Sequence, residues 1–194
     1  TSNGSNPTGA LRVNVDDNQT SRDLNSVIGS LPLLPQGSSA RSIAYKIKFN
    51  YLQTENNHCV FMYGSGSTSH AFGVQPTNTE EIVNFWGLGY TATFAGVSKQ
   101  IDVWYDIVIT YDPATNYITY YLNGSIYDIK VFYASAVNTT GTNFAMGRTI
   151  ASNYGFGKFD IDDLKIYSGV LSESEVAALA IPQSQPATLI YHFP

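Results

Sequence analysis

The 194-residue chain has one cysteine, Cys59, so it cannot close an intrachain disulfide and must be held together by its core. Charge is also sparse: Asp, Glu, Lys and Arg make up 13% of the residues, against ~25% in an average soluble domain. Ten Lys plus Arg and a sequence pI ≈ 5.0 leave no basic surface for a phosphate backbone, which argues against nucleic acid as a partner. No apolar run approaches the ~18 residues of a membrane helix, so membrane insertion is not expected. What replaces charge is neutral polarity: 58 residues are Ser, Thr, Asn or Gln, and 14 are Tyr. With 43% hydrophobic residues and a net charge of only -5, the chain does not have the composition of a disordered segment. Its length suits one domain of the larger all-β kind or one α/β domain. Residues 1–8 are polar with Gly and Pro and read as a cut or processed edge. Residues 9–194 read as one domain, with no internal repeat and no second core.

The dominant pattern has a period of two. Ile43, Tyr45, Ile47 and Phe49 alternate with Ala44, Lys46 and Lys48, the signature of a strand with one dry and one wet face. Tyr105, Ile107, Ile109 and Tyr111 repeat it, and residues 117–122 form a strand rich in aromatics. Further strands are expected over 11–15, 58–63, 70–75, 81–86, 126–132, 143–147, 158–167 and 188–193. Asn123-Gly124 is the two-residue hairpin signal, because a type I′ turn needs positive φ at both central positions. Asp112 to Asn116 forms the preceding turn around Pro113. One helix is expected after Ser172-Glu173-Ser174-Glu175, a capping box in which Ser172 and Glu175 exchange side-chain and backbone bonds. It runs to Ala180 and stops at Pro182. Too short to persist alone, it should dock on the sandwich edge. Many short strands joined by tight turns point to an all-β, two-sheet antiparallel sandwich or barrel.

Three stretches resemble one family. Trp104-Tyr105-Asp106-Ile107-Val108-Ile109-Thr110-Tyr111-Asp112 is similar to the "W-x-x-V-A-V-T-Y-D" strand of laminin-G-like, concanavalin A-like jelly-roll domains, and Tyr120-Tyr121-Leu122-Asn123-Gly124 to their "L-Y-V-N-G" hairpin. Ile161 to Tyr167 followed by Leu171 to Val176 resembles "I-D-E-V-R-I-Y-x-x-x-L-S-x-x-E-V". The resemblance implies a jelly-roll sandwich of roughly 12 to 14 strands with one short C-terminal helix. It also implies a module of a secreted or surface-exposed bacterial protein, with carbohydrate binding and adhesion as the common roles. Many members carry calcium at the sandwich rim.

Calcium takes six to eight oxygens from carboxylates, amides and carbonyls. Asp16 and Asp17, followed by Asn18, and the cluster holding Asp162 are therefore the candidate metal ligands. By period two Asp162 shares a face with Leu164 and Ile166 and should point inward, where a carboxylate needs hydrogen bonds; the structural reading is that it pins the helix-bearing loop. For a sugar, the aromatics carry more weight, because apolar C–H faces of the rings stack on them while amides read the hydroxyls. Trp86 and Tyr90 flank glycines in Phe85-Trp86-Gly87-Leu88-Gly89-Tyr90, and Asn153, Tyr154 and Phe156 do so in Asn153-Tyr154-Gly155-Phe156-Gly157. Both read as loops that present rings, although Trp86 and Phe156 could equally finish strands and fill the core ends. His58 and Cys59 are adjacent and hence on opposite faces of a strand, which argues against zinc.

Retaining glucanases of the fold carry E-x-D-x-x-E on one strand. None of the five glutamates, Glu55, Glu80, Glu81, Glu173 and Glu175, starts that motif, and the four arginines are scattered. Convergent acid–base pairs are lacking, so the chain is not expected to be an enzyme. The expectation is a non-catalytic module that binds a polysaccharide or cell-surface glycan, assisted by calcium, at the cell surface. The alternatives are a spacer that docks other domains of the same protein and, more remotely, a polysaccharide lyase or glucanase.

Overall fold

The computed structural model describes residues 10–14, 27–51, 59–67, 70–85, 90–132, 137–150 and 158–180. In chain order the strands are β1 (Leu11–Asn14), β2 (Val27–Ser30), β3 (Arg41–Phe49), β4 (Phe61–Gly64), β5 (Ala71–Pro76), β6 (Glu80–Phe85), β7 (Tyr90–Ala95), β8 (Trp104–Asp112), β9 (Tyr117–Leu122), β10 (Ser125–Val131), β11 (Asn143–Met146) and β12 (Lys158–Ser168). One helix, α1 (Glu173–Ala180), follows. They form two six-stranded sheets: a first sheet in the order β1-β12-β3-β8-β9-β10 and a second in the order β2-β11-β4-β5-β6-β7. Every strand pair is antiparallel. This is the jelly-roll sandwich that the sequence predicts. Two strands were not anticipated, β2 and β7. The predicted strand over 188–193 lies outside the described residues.

Alternation makes the core. Ile43, Tyr45, Ile47 and Phe49 of β3, Ile107, Ile109 and Tyr111 of β8, and Ile118 and Tyr120 of β9 face Phe61, Tyr63, Phe72, Val74, Val83 and Phe94 of the second sheet, all buried. The rings pack in offset and edge-on pairs; Phe94 and Tyr120 are 5.3 Å apart at 25°, and Tyr45 meets Phe61 edge-on at 5.9 Å. The Asn123-Gly124 hairpin has φ of 51° and 81°, which fits the type I′ turn expected there.

The helix departs from expectation in one respect. Its capping box forms: the Ser172 N–H donates to Glu175 Oε2 at 2.7 Å, and the Glu175 N–H donates to Ser172 Oγ at 3.4 Å. It does not, however, dock on the sandwich edge. Val176 packs with Ala44, Val108 and Tyr121 of β3, β8 and β9, together with Tyr167, Leu171 and Leu179, as a second cluster on the outer face of the first sheet. Ala44, expected on a wet face, is therefore 5% exposed. The helix buries Val176 and is too short to stand alone, and the small Ala44 leaves room for it on the sheet.

Buried charge anchors opposite ends of the sandwich, an arginine at one and a lysine–glutamate pair at the other, and neither was anticipated. At one end, the Arg41 guanidinium donates to Tyr63 Oη, Thr139 Oγ1 and the carbonyls of Ser39 and Gly37, at 2.7–3.0 Å. At the other end, Lys99 Nζ, beside the Phe49 ring, donates to the carbonyls of Thr77 and Glu80 and sits 2.8 Å from Glu81 Oε1. Glu81 takes an inward position of β6 and is fully buried. Burial pushes its carboxyl above the ordinary range, and Lys99 opposes that shift.

Two predictions follow from these contacts. Val176→Ala should cost ~2 kcal/mol of unfolding free energy in urea titrations, with the sandwich retained. Lys99→Met should cost ~3–5 kcal/mol at neutral pH by leaving Glu81 buried and unpaired. A carboxyl whose folded pKa is raised binds a proton more readily in the folded state, so its contribution to stability falls as pH rises past the ordinary carboxylate range. The loss in Lys99→Met should therefore shrink on acidification, as melting curves across pH would record.

Candidate functional site

The outer face of the first sheet carries its polar residues in cross-strand rows, because neighbouring strands place outward side chains side by side. One row runs Arg12 (β1), Asp160 (β12), Lys48 (β3), Trp104 (β8), each residue paired in register with the next. Arg12 grips Asp160 through Nε at 2.7 Å and Nη2 at 3.0 Å. Lys48 Nζ reaches Asp160 Oδ2 at 3.0 Å and lies 5.6 Å from the Trp104 ring centroid. Asn50 Nδ2 adds a bond to Asp160 Oδ1 at 3.1 Å. With Arg12 foremost, these donors hold the Asp160 carboxyl well below the usual carboxylate range. The next row is Asp162, Lys46 and Asp106, in which Lys46 pairs with Asp106.

Beyond the rows the exposed Tyr51 ring lies 5.8 Å from Lys158 Nζ, and Trp104 is partly exposed. Beside the second row, a small cleft lies under the C-terminal end of α1, lined by Lys46, Asp106, Gly124, Asp163, Lys165 and Leu179. The Phe49 end of this face thus combines two accessible rings with amide, ammonium and guanidinium groups already fixed by Asp160. Such a surface can stack an apolar ring face and donate hydrogen bonds around it. Two of its carboxylates, Asp160 and Asp106, are each engaged by cations.

The residues expected to form the site fare unevenly. Asp16, Asp17, Trp86, Asn153, Tyr154 and Phe156 lie outside the described residues. Tyr90 was expected in a ring-presenting loop, but it opens β7 opposite Phe85, and of its side chain nothing is described. The described neighbours of the two aromatic segments sit at opposite ends of the sandwich. Phe85 and Tyr90 belong to the Arg41 end, where Gly64 and Ala71 pair. Lys158 pairs with Asn14 and lies next to Phe49, and Gly147 binds the Val60 carbonyl, at the Phe49 end. A strand length, about 20 Å, separates the two groups.

Asp162 corrects a parity argument. A bulge between Asp162 and Lys165, with Asp163 at φ 54°, shifts the register of β12. Phe159 and Ile161 face the core before it, and Leu164 and Ile166 pack against the core after it. Asp162 therefore does not share their face. It lies with Asp160 on the outer side, where its Oδ1 accepts the Asp163 N–H at 2.8 Å, so it stabilises the bulge rather than the helix-bearing loop. Among the described residues, no three His, Cys, Asp or Glu side chains gather as a metal site. Cys59 is buried, and desolvation raises its thiol pKa above the ordinary value.

A protein-family model described as "Concanavalin A-like lectin/glucanases superfamily" matches residues 8–177. No curated protein sequence matches the chain. Among solved structures, the binding domain of botulinum neurotoxin serotype G is similar with a TM-score of 0.63 at 16% identity, covering 87% of this chain and 41% of that one. NanB sialidase from Streptococcus pneumoniae, as its K499G mutant, gives 0.68 at 18% identity, covering 94% and 29%. The receptor binding domain of botulinum neurotoxin D gives 0.62 at 14%, covering 87% and 42%. The chain thus spans less than half of each of these solved chains. At such identities the likeness is one of fold.

The row chemistry can be tested directly. Asp160→Asn should lower unfolding free energy by ~2 kcal/mol near neutral pH, because it removes the charged acceptor shared by Arg12, Lys48 and Asn50. A depressed folded pKa means that the stabilisation is present above the ordinary carboxylate range and is lost as pH falls through the lower, folded value. The variant should therefore lose less stability than the parent chain between neutral and strongly acidic pH.

Proposed function

The chain belongs to the concanavalin A-like lectin/glucanases superfamily, and from that membership we propose that it is a non-catalytic carbohydrate-binding and adhesion module of a secreted or cell-surface protein. The observation that carries this reading is the Phe49 end of the first sheet's outer face. There Trp104 and Tyr51 offer ring faces beside Lys48, Asn50 and Lys158, with few free charges around them. The ligand that suits it is a polysaccharide or surface glycan. Two expected segments leave the described strands at this end. Asp16 and Asp17 follow Asn14 in the chain, and Asn153, Tyr154 and Phe156 precede Lys158. We place them in the same site, with calcium held by Asp16 and Asp17. The proposed site does not include Trp86, because the described ends of the two strands that flank it in the chain are a strand length away.

Two of the similar structures are described as binding domains, one of them for a receptor, and a third belongs to a sialidase. The fold thus occurs in binding proteins and in an enzyme. The non-catalytic reading draws its support from Asp160, whose carboxyl the surrounding cations hold well below the usual carboxylate range, which makes it a poor proton donor.

A glycan array with and without calcium, followed by titration calorimetry on the best binder, tests the proposal. Trp104→Ala and Tyr51→Ala should each weaken binding by about tenfold or more, while unfolding stays cooperative. Trp86→Ala should leave affinity unchanged. Loss of binding in Trp86→Ala with retention in Trp104→Ala would move the site to the Arg41 end, and no glycan bound in either condition would sink the reading.

A further inference from the structure

Strand β10 lies at one edge of the first sheet and pairs, among the described strands, only with β9. Its seven residues, Ser125 to Val131, leave Ile126, Tyr127, Ile129 and Val131 between 39% and 62% exposed. An edge this long and this apolar is a template for another strand. Which backbone groups it offers follows from the ladder. The Phe132 N–H donates to the Asn116 carbonyl, and Lys130 and Asp128 stand opposite Ile118 and Tyr120. In an antiparallel pair the hydrogen-bonding positions alternate. The N–H and C=O groups of Lys130 and Asp128 therefore turn toward β9, and those of Ile129 and Val131 turn outward.

We propose that this edge is a self-recognition surface, on which a second copy of the chain pairs antiparallel through β10, centred on Ile129, to join the two first sheets into one sheet of twelve strands.

The register is chosen by charge. Outward-turned residues must meet outward-turned residues, which leaves pairings centred on Asp128, Ile129 or Lys130. Centring on Asp128 sets Asp128 opposite Asp128 of the second copy, and centring on Lys130 sets lysine opposite lysine; like charges directly opposite oppose pairing. Centring on Ile129 puts each Asp128 opposite the other copy's Lys130 and brings the two Ile129 side chains together on the outer face. In the single chain Asp128 Oδ2 lies 2.6 Å from Lys130 Nζ, and Oδ1 accepts the outward N–H of Ile129 at 2.7 Å. That carboxylate shields the edge of the lone chain. On pairing, the Ile129 N–H passes to a main-chain carbonyl, and Asp128 turns to the opposing lysine. The inference is independent of glycan binding, because β10 lies at the far edge of the sheet from Arg12 and Asp160.

Two variants test it. Asp128→Lys gives an edge with two lysines, and Lys130→Asp one with two aspartates; both break the pair within the chain equally. Sedimentation velocity of the whole chain should show a concentration-dependent dimer. Each variant alone should dissociate at least about tenfold more readily, and an equimolar mixture should form a heterodimer, because lysine then again faces aspartate across the edge. Circular dichroism melts confirm that the variants are folded. A parent chain that stays monomeric at the highest soluble concentration overturns the proposal. So do single variants that dimerise as the parent does, or a mixture that forms no heterodimer. Should either variant fail to fold, Ile129→Lys, which sets two like charges at the centre, takes its place, and undiminished dimerisation of that variant overturns the proposal equally.

Discussion

Burial of both inner faces is the constraint from which the rest of this molecule follows. Each strand has one row of side chains to place between the sheets, and the period of two then assigns the other row to the outside. Ile43, Tyr45, Ile47 and Phe49 cannot enter the core without sending Ala44, Lys46 and Lys48 out. The outer face is therefore ordered as a by-product of the inner one. Strands held in register for the sake of the core bring Arg12, Asp160, Lys48 and Trp104 into one line. The bulge in β12 keeps both halves of that long strand inward-facing, at the cost of putting Asp162 and Asp163 at an irregularity.

Where the constraint relaxes, the surface changes character. At β10, the last strand of the first sheet, the inward positions hold Asp128 and Lys130 while Ile126, Ile129 and Val131 face outward and are exposed. Inward-pointing charge is one of the ways proteins blunt a sheet edge. Here it also sets the one charge-complementary register in which the edge could meet itself. On the opposite side of the sheet the same economy of charge is used differently, with two cations and an amide gathered on Asp160. An acidic chain with ten basic residues has thus placed several of them around one face, and that organisation is what makes the face a candidate for ligand recognition.

The buried charges at the two ends of the sandwich show why charge could not be judged from its position in the chain. Arg41 appears in the sequence as one of four scattered arginines, yet it is fully buried and spends its guanidinium on two hydroxyls and two carbonyls. Glu81 follows another glutamate in what reads as an ordinary polar start to a strand, yet parity turns it inward onto Lys99. A buried charge is tolerable only with partners, and Tyr63 and Thr139 for Arg41, like Lys99 for Glu81, come from segments distant in the chain.

Local patterns in the sequence were enough for the sandwich class, the Asn123-Gly124 hairpin, the Ser172–Glu175 cap and the family, because each depends on periodicity, turn chemistry or a contiguous motif. Strands β2 and β7 were not legible: the first has only two apolar residues in four, and the second begins at a tyrosine that glycines on its N-terminal side had marked as loop. The place of the helix, the side on which Asp162 lies, the two ion anchors and the line from Arg12 to Trp104 were decided by tertiary structure alone. Each depends on which strands become neighbours and in what register, and a period of two specifies a strand's faces but not its neighbour.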